Sequence, residues 1–166
     1  MSIWWSLQLR REAASVPLAR RLLVGTMDTA GVDPDISYDL SVALSEACAN
    51  AVEHGGDGST GYLVTAFIDG DTCRIEVTDS GPGFPEQPRR HDPRRRRSPR
   101  PHSPARPQHR APQSPAPDHE EHGRGLFLIE SLTDHVRVRN RPGRQGAVVS
   151  FDKVLKWREG ALLKAS

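Results

Sequence analysis

The chain has 166 residues, 36% of them apolar, and a formal net charge of +2, which leaves room for one hydrophobic core with an appendage and excludes two ordinary domains. The low apolar fraction is local: residues 85–122 hold ten of the fourteen prolines and nine arginines, with no apolar residue larger than alanine, and the remainder is about 45% apolar, normal for a compact domain. No apolar run reaches the roughly 18–20 residues of a membrane span, residues 1–6 lack secretory-leader character, and the isolated Cys48 and Cys73 point to buried thiols in a cytoplasmic protein rather than to disulfides or a zinc knuckle.

Ile3, Trp5, Leu7 and Leu9 alternate with Trp4, Ser6 and Gln8, the period of a half-buried strand with one tryptophan inward and one outward. Ser15 is placed to cap a helix that has Pro17 in its first turn and Leu18, Leu22, Leu23 and Met27 on one face, ended by Gly31. Asp33-Pro34-Asp35 opens a second helix whose Ile36, Leu40, Ala43, Leu44, Ala47 and Ala51 recur at three- and four-residue steps until Gly55-Gly56. Strands over 62–68 and 73–78 follow, joined at Asp69-Gly70-Asp71.

After the loop Asp79-Ser80-Gly81-Pro82-Gly83-Phe84, the stretch 85–122 has no aromatic or branched aliphatic side chain with which to offset the cost of ordering, and is expected to be disordered or extended. Gly123-Arg124-Gly125 then opens a helix carrying Leu126, Phe127, Ile129 and Leu132. A hairpin over 136–138 and 147–151 turns at Pro142-Gly143. This order predicts an α+β two-layer sandwich, a mixed, mostly antiparallel sheet with helices on one face. The domain runs over 1–152, interrupted by 85–122, and 153–166 is a C-terminal tail.

Three clusters carry chemistry. Glu46, Asn50 and Glu53 or His54 share one face of the second helix; alone, that face reads as solvated. Asp79 stands at a strand end, where a carboxylate accepts a hydrogen bond from an exocyclic amine and Gly81 and Gly83 let backbone approach a flat ring; alone, the sequence is a turn. Gly123-Arg124-Gly125 at a helix start offers free N–H groups to an anion. The only lysines, Lys153, Lys156 and Lys164, exclude a Walker-type phosphate loop.

Taken together and in this order, the clusters resemble a known set. Ser45-Glu46-Ala47-Cys48-Ala49-Asn50-Ala51-Val52-Glu53-His54-Gly55 resembles the N-box of the Bergerat (GHKL) ATPases, the loop 79–84 their G1 box, and Gly123-Arg124-Gly125-Leu126 their G2 box. Within that superfamily the chain is similar to the bacterial anti-sigma factor serine/threonine kinases. The resemblance covers about 1–84 and 123–152. It implies the Bergerat ATP-binding fold, with ATP and Mg²⁺ as cofactors. By that resemblance Asn50 would coordinate the metal through its amide oxygen and Glu46 would act as general base toward a serine or threonine hydroxyl. The resemblance likewise implies that Asp79 would read the adenine amine, Gly81 and Gly83 would line the adenine pocket, Gly123 and Gly125 would hold phosphates, and His54 and Arg124 would neighbour them. The implied partners are a sigma factor and a phosphorylatable anti-sigma factor antagonist, in a homodimer paired near the first strand and first helix.

Two departures stand out. The ATP lid between G1 and G2 is ordinarily shorter than 85–122, though closure entropy grows only as the logarithm of length. Gly146-Ala147 stands where many relatives have Gly-Thr, a hydroxyl worth on the order of 1 kcal/mol. The arginine tract has no aromatic residue on which bases could stack, which argues for a solvated lid insertion over a nucleic-acid arm. His119-Glu120-Glu121-His122 is one residue short of the zinc-helix spacing. A catalytically weak ATP-binding anti-sigma switch is one alternative. A histidine-kinase-type ATPase module is the other, but no histidine precedes His54.

Overall fold

The computed structural model describes residues 2–55, 61–83 and 119–161, with side chains omitted over 119–122. Its elements follow the expected order: β1 (Ser2–Leu9), α1 (Ser15–Ala30), α2 (Pro34–His54), β2 (Tyr62–Asp69), β3 (Thr72–Thr78), α3 (His119–Leu132), β4 (His135–Asn140) and β5 (Ala147–Val154). The strands form one sheet in the order β1-β2-β3-β5-β4, with the helices packed on one face, an α+β fold as expected.

The sheet is not mixed. Each described pairing is antiparallel, from Ser2 opposite Asp69 through Glu76 opposite Ser150 to Val138 opposite Val149. The cause is the placement of β5. The connection through α3 returns β4 parallel to β3 but one strand further out, and β5 turns back to fill the gap, so neighbours always run in opposite directions.

Alternation in the strands divides the two faces. Tyr62, Val64, Ala66 and Ile68 on β2, Cys73, Ile75 and Val77 on β3, and Val149 and Phe151 on β5 join Ala19, Leu23 and Met27 of α1, Leu40, Leu44 and Ala47 of α2 and Ile129 of α3 in one core. Trp5 packs against this core while Trp4 is 68% exposed. The apolar face of α1 is narrower than its sequence suggests. Leu18 and Leu22 stand exposed, and Ala19, Leu23, Met27 and Ala30 are the buried stripe. Phe127 of α3 is exposed as well.

The helix ends show which local signals hold. Asp33 caps α2, its Oδ1 accepting from the Asp35 N–H at 2.9 Å, and Gly31 closes α1 at φ 85°, a conformation that favours glycine. Ser15, expected as a cap, is instead the first residue of α1. Its buried hydroxyl lies 2.6 Å from both the Glu12 carbonyl oxygen and the Tyr62 hydroxyl. Helix α3 begins at His119, four residues before Gly123, so residues 119–122 are helical rather than part of an extended tract. The remainder of the expected lid insertion, 85–118, lies outside the described residues, and the His119-Glu120-Glu121-His122 side chains lie outside them too.

Within the expected C-terminal tail, the described residues 153–161 pack on the domain. Lys153 and Val154 belong to β5, and Leu155 is buried. Asp33 N–H donates to the Lys156 carbonyl and Arg158 N–H to the Gly31 carbonyl, both at 2.8 Å, while the Trp157 indole N–H reaches Asp71 Oδ1 at 2.9 Å. Residues 155–161 are thereby fastened over the α1–α2 corner.

Candidate functional site

The last three turns of α2 carry Glu46, Asn50 and His54 on one face. The adjoining face sinks Ala43, Ala47, Cys48 and Ala51 into the core, so the polar row borders the buried side of the helix. At the end of β3 the chain stops pairing and Asp79 is fixed by its own backbone and side chain. Its N–H donates to the Ala147 carbonyl at 3.0 Å. Its Oδ1 accepts from Gly81 N–H at 2.9 Å and Ala147 N–H at 3.1 Å. One carboxylate oxygen is thus committed to holding the loop, which leaves Oδ2 to accept from a ligand.

Asn50, His54, Asp79 and Gly83 line one narrow cavity of about 30 Å³, together with Ala47, Ala51, Val77, Ala147 and Val149. That volume suits one or two waters. The wall is apolar apart from Asp79, Asn50 and His54, the composition a flat heteroaromatic ring with one amine needs.

The third cluster reaches the same place through helix packing. Gly125 is buried against α2: a Cβ built there would lie 3.3 Å from both the Nδ2 and Oδ1 of Asn50 and 3.5 Å from Glu46 Oε2. Gly123 and Arg124 are exposed, with open space around the position of a Gly123 Cβ. Because α3 starts at His119, these residues sit in its second turn rather than at a free N-terminus, so the unpaired N–H groups that an anion would use belong to earlier residues.

The glycines of the loop after β3 serve packing in this conformation. Gly81 rests on the His54 carbonyl and on Gly55, and Gly83, at φ 80°, has the Asn140 side-chain amide 2.6 Å from where its Cβ would stand. Gly146 is at φ 126°, and its position presses against the Asp79 carbonyl, so a side chain there is excluded twice. Ala147 contributes its backbone rather than its methyl group. Arg11 and Asn140 were not legible as site residues, because each acts on backbone or glycine far away in sequence.

Oxygen donors, the amide of Asn50 and the carboxylate of Glu46, suit a hard cation such as Mg²⁺. Among the described residues, no three His, Cys, Asp or Glu side chains converge to hold an ion. A cation at Asn50 would draw its other ligands from phosphate and water.

A profile of the histidine kinase-like ATPase domain matches residues 9–153. Similar proteins include the serine-protein kinase RsbW of Bacillus licheniformis, 33% identical over 148 residues that make up 84% of this chain and 78% of that protein. RsbW of Bacillus subtilis is 31% identical over 143 residues, 82% of this chain and 78% of that one. An anti-sigma F factor of Pasteuria penetrans is 30% identical over 132 residues, 76% and 75% of the two chains. The crystal structure of the RsbU and RsbW domains of a Mycobacterium tuberculosis protein superimposes with a TM-score of 0.61 at 20% identity, covering 92% of this chain and 32% of that one. That is a likeness of fold.

Proposed function

Because the chain belongs to the histidine kinase-like ATPase domain family, we propose that it is an ATP- and Mg²⁺-dependent protein serine/threonine kinase that phosphorylates an anti-sigma factor antagonist and sequesters a sigma factor. The carrying observation is convergence. Asn50 from α2 and Asp79 from the end of β3 line one cavity, and Gly125 of α3 is pressed against both Asn50 and Glu46. The relatives named as serine-protein kinases and an anti-sigma factor, at 30–33% identity, support the same reading.

In this reading Asp79 Oδ2 accepts from the adenine amine and selects the base. Asn50 presents its amide oxygen to the metal, which supplies charge neutralisation to the phosphates when bound. Gly125 lets α3 approach closely enough for backbone to lie along the phosphate chain, with His54, Gly123 and Arg124 as its neighbours. Glu46, one helical turn before Asn50, takes the proton of the incoming serine or threonine hydroxyl as that oxygen bonds to the γ-phosphorus and ADP departs. The protein acts in the cytoplasm as a homodimer. Edge strand β1 and helix α1, where Trp4, Leu18 and Leu22 stand exposed, supply the contact.

The test is transfer of labelled γ-phosphate from ATP to the antagonist-type protein encoded nearest the gene. Asn50→Ala is expected to lower the transfer rate by at least about a hundredfold, the scale of losing a principal electrostatic contact in phosphoryl transfer. An Asn50→Ala protein as active as the wild type would overturn the assignment, and ATP binding without transfer in the wild type would select a non-catalytic switch.

A further inference from the structure

Arg11 lies in the short loop between β1 and α1, remote in sequence from each of the three motifs. Its half-buried guanidinium spans the last turn of α2, with Nε donating to the Ala51 carbonyl at 3.2 Å and Nη2 to the Val52 carbonyl at 2.7 Å. The Ala51 carbonyl also accepts the Gly55 N–H at 3.0 Å. A planar fork across two carbonyls satisfies acceptors that a helix end leaves unpaired, and it sets a positive charge at the negative end of the helix dipole.

The same guanidinium is a floor beneath Gly55. A Cβ at Gly55 would fall 2.8 Å from Arg11 Nε and 3.2 Å from its Cδ. Gly81 rests on this turn in its own right: a Cβ there would fall 2.5 Å from the Gly55 carbonyl carbon and 2.7 Å from its Cα. Gly81 in turn donates its N–H to Asp79 Oδ1. Arg11, the last turn of α2, Gly81 and Asp79 therefore form one continuous stack.

We infer that Arg11 is a positioning residue for the nucleobase. It fixes the last turn of α2 where Gly81 needs it, and so sets the direction of the Asp79 oxygen that reads the base. The inference rests on Asp79 as the acceptor for the adenine amine. An arginine suits the task because its donors are coplanar and diverge, whereas a lysine ammonium meets one carbonyl well and the second poorly.

The experiment compares the full-length wild type with Arg11→Met and Arg11→Lys, measuring ATP and GTP affinities by calorimetry, with thermal unfolding to establish that each protein is folded. Arg11→Met is expected to bind ATP about tenfold more weakly, a factor equal to about 1.4 kcal/mol. GTP affinity stays unchanged, so the ATP-to-GTP preference falls. The transfer rate at saturating ATP remains within about twofold of wild type, since the loss lies in binding rather than in the transition state. Arg11→Lys recovers part of the preference.

A folded Arg11→Met protein that keeps the wild-type ATP-to-GTP ratio would show Arg11 to be a helix cap alone and overturn the inference. Should Arg11→Met fail to fold, Arg11→Lys decides: a reduced ratio supports the role and an unchanged ratio rejects it. A wild type that does not prefer ATP over GTP overturns the adenine reading of Asp79 and the inference with it, a failure recognisable because it appears without any substitution.

Discussion

At the scale of single residues, Asp79 holds its loop through one oxygen, Oδ1 accepting from the Gly81 and Ala147 N–H groups, and the proposed function gives the other, Oδ2, to the adenine amine. Substitutions can separate these roles. Asp79→Asn keeps an oxygen acceptor for the two backbone N–H groups but puts an NH₂ donor where the adenine amine must donate. Its ATP affinity is expected to fall at least about tenfold, the lower end for a hydrogen bond to a charged group, while its unfolding free energy stays near the wild-type value. Asp79→Ala orphans both N–H groups and adds a stability loss of about 1–3 kcal/mol for each that stays buried. Calorimetric titration with ATP and urea denaturation of the three proteins read the two roles independently. Wild-type ATP affinity in Asp79→Asn would remove Asp79 from the base site.

At the scale of elements, α2 shows why parts of the fold were legible and others were not. Its beginning and end rest on local chemistry: Asp33 needs only the N–H of Asp35 two residues on, and Gly55 follows the last helical residue, so both boundaries could be read from the sequence. Asp33→Ala is expected to cost about 1 kcal/mol. In a domain of this size that is a fall of about 2–4 °C in Tm. The phosphotransfer rate should hold, because Glu46 and Asn50 lie several turns away; differential scanning calorimetry beside the labelled-ATP assay checks both halves.

Signals that depend on remote partners were hidden. The Ser15 hydroxyl looked like a cap, but a tyrosine 47 residues away claims it. The glycines of 123–125 looked like a helix start, yet the helix forms from His119, where residues with adequate helix propensity follow the last proline. Strand direction was illegible for the same reason, since nothing local says that β5 slips between β3 and β4. The three site motifs were legible because each concentrates unusual residues in a short run. Arg11 was not, because its partners are backbone carbonyls 40 and 41 residues away.

At the scale of the whole molecule, the core stores protons that the unfolded chain would release in alkali. Burial pushes the thiols of Cys48 and Cys73 from 9.0 up to about 12, against a lowering by the Tyr62 hydrogen bond at Cys48 and with a raising by Asp152 at Cys73. Burial likewise takes the Tyr62 hydroxyl from 10.0 to about 12. Cys48 on α2, Tyr62 on β2 and Ser15 on α1 are joined by hydrogen bonds, so the affected groups tie helices to sheet. Well below pH 9 the folded and unfolded chains hold these protons equally, and the three groups contribute no slope. Between pH 9 and 12 the unfolded chain loses thiol protons that the folded one keeps, so it binds fewer protons and stability must fall as pH rises. The loss is about 1.4 kcal/mol per pH unit for each thiol fully ionised in the unfolded state. Urea denaturation at pH 8, 9, 10 and 10.5 is expected to show an unfolding free energy that begins to fall between pH 8 and 9 and falls more steeply above pH 9. The double variant Cys48→Ala/Cys73→Ala, less stable at pH 8 for want of two core side chains, should decline less steeply above pH 9. An alkaline slope in that variant equal to the wild type's would place the titration elsewhere and show that these thiols are not held protonated by the fold.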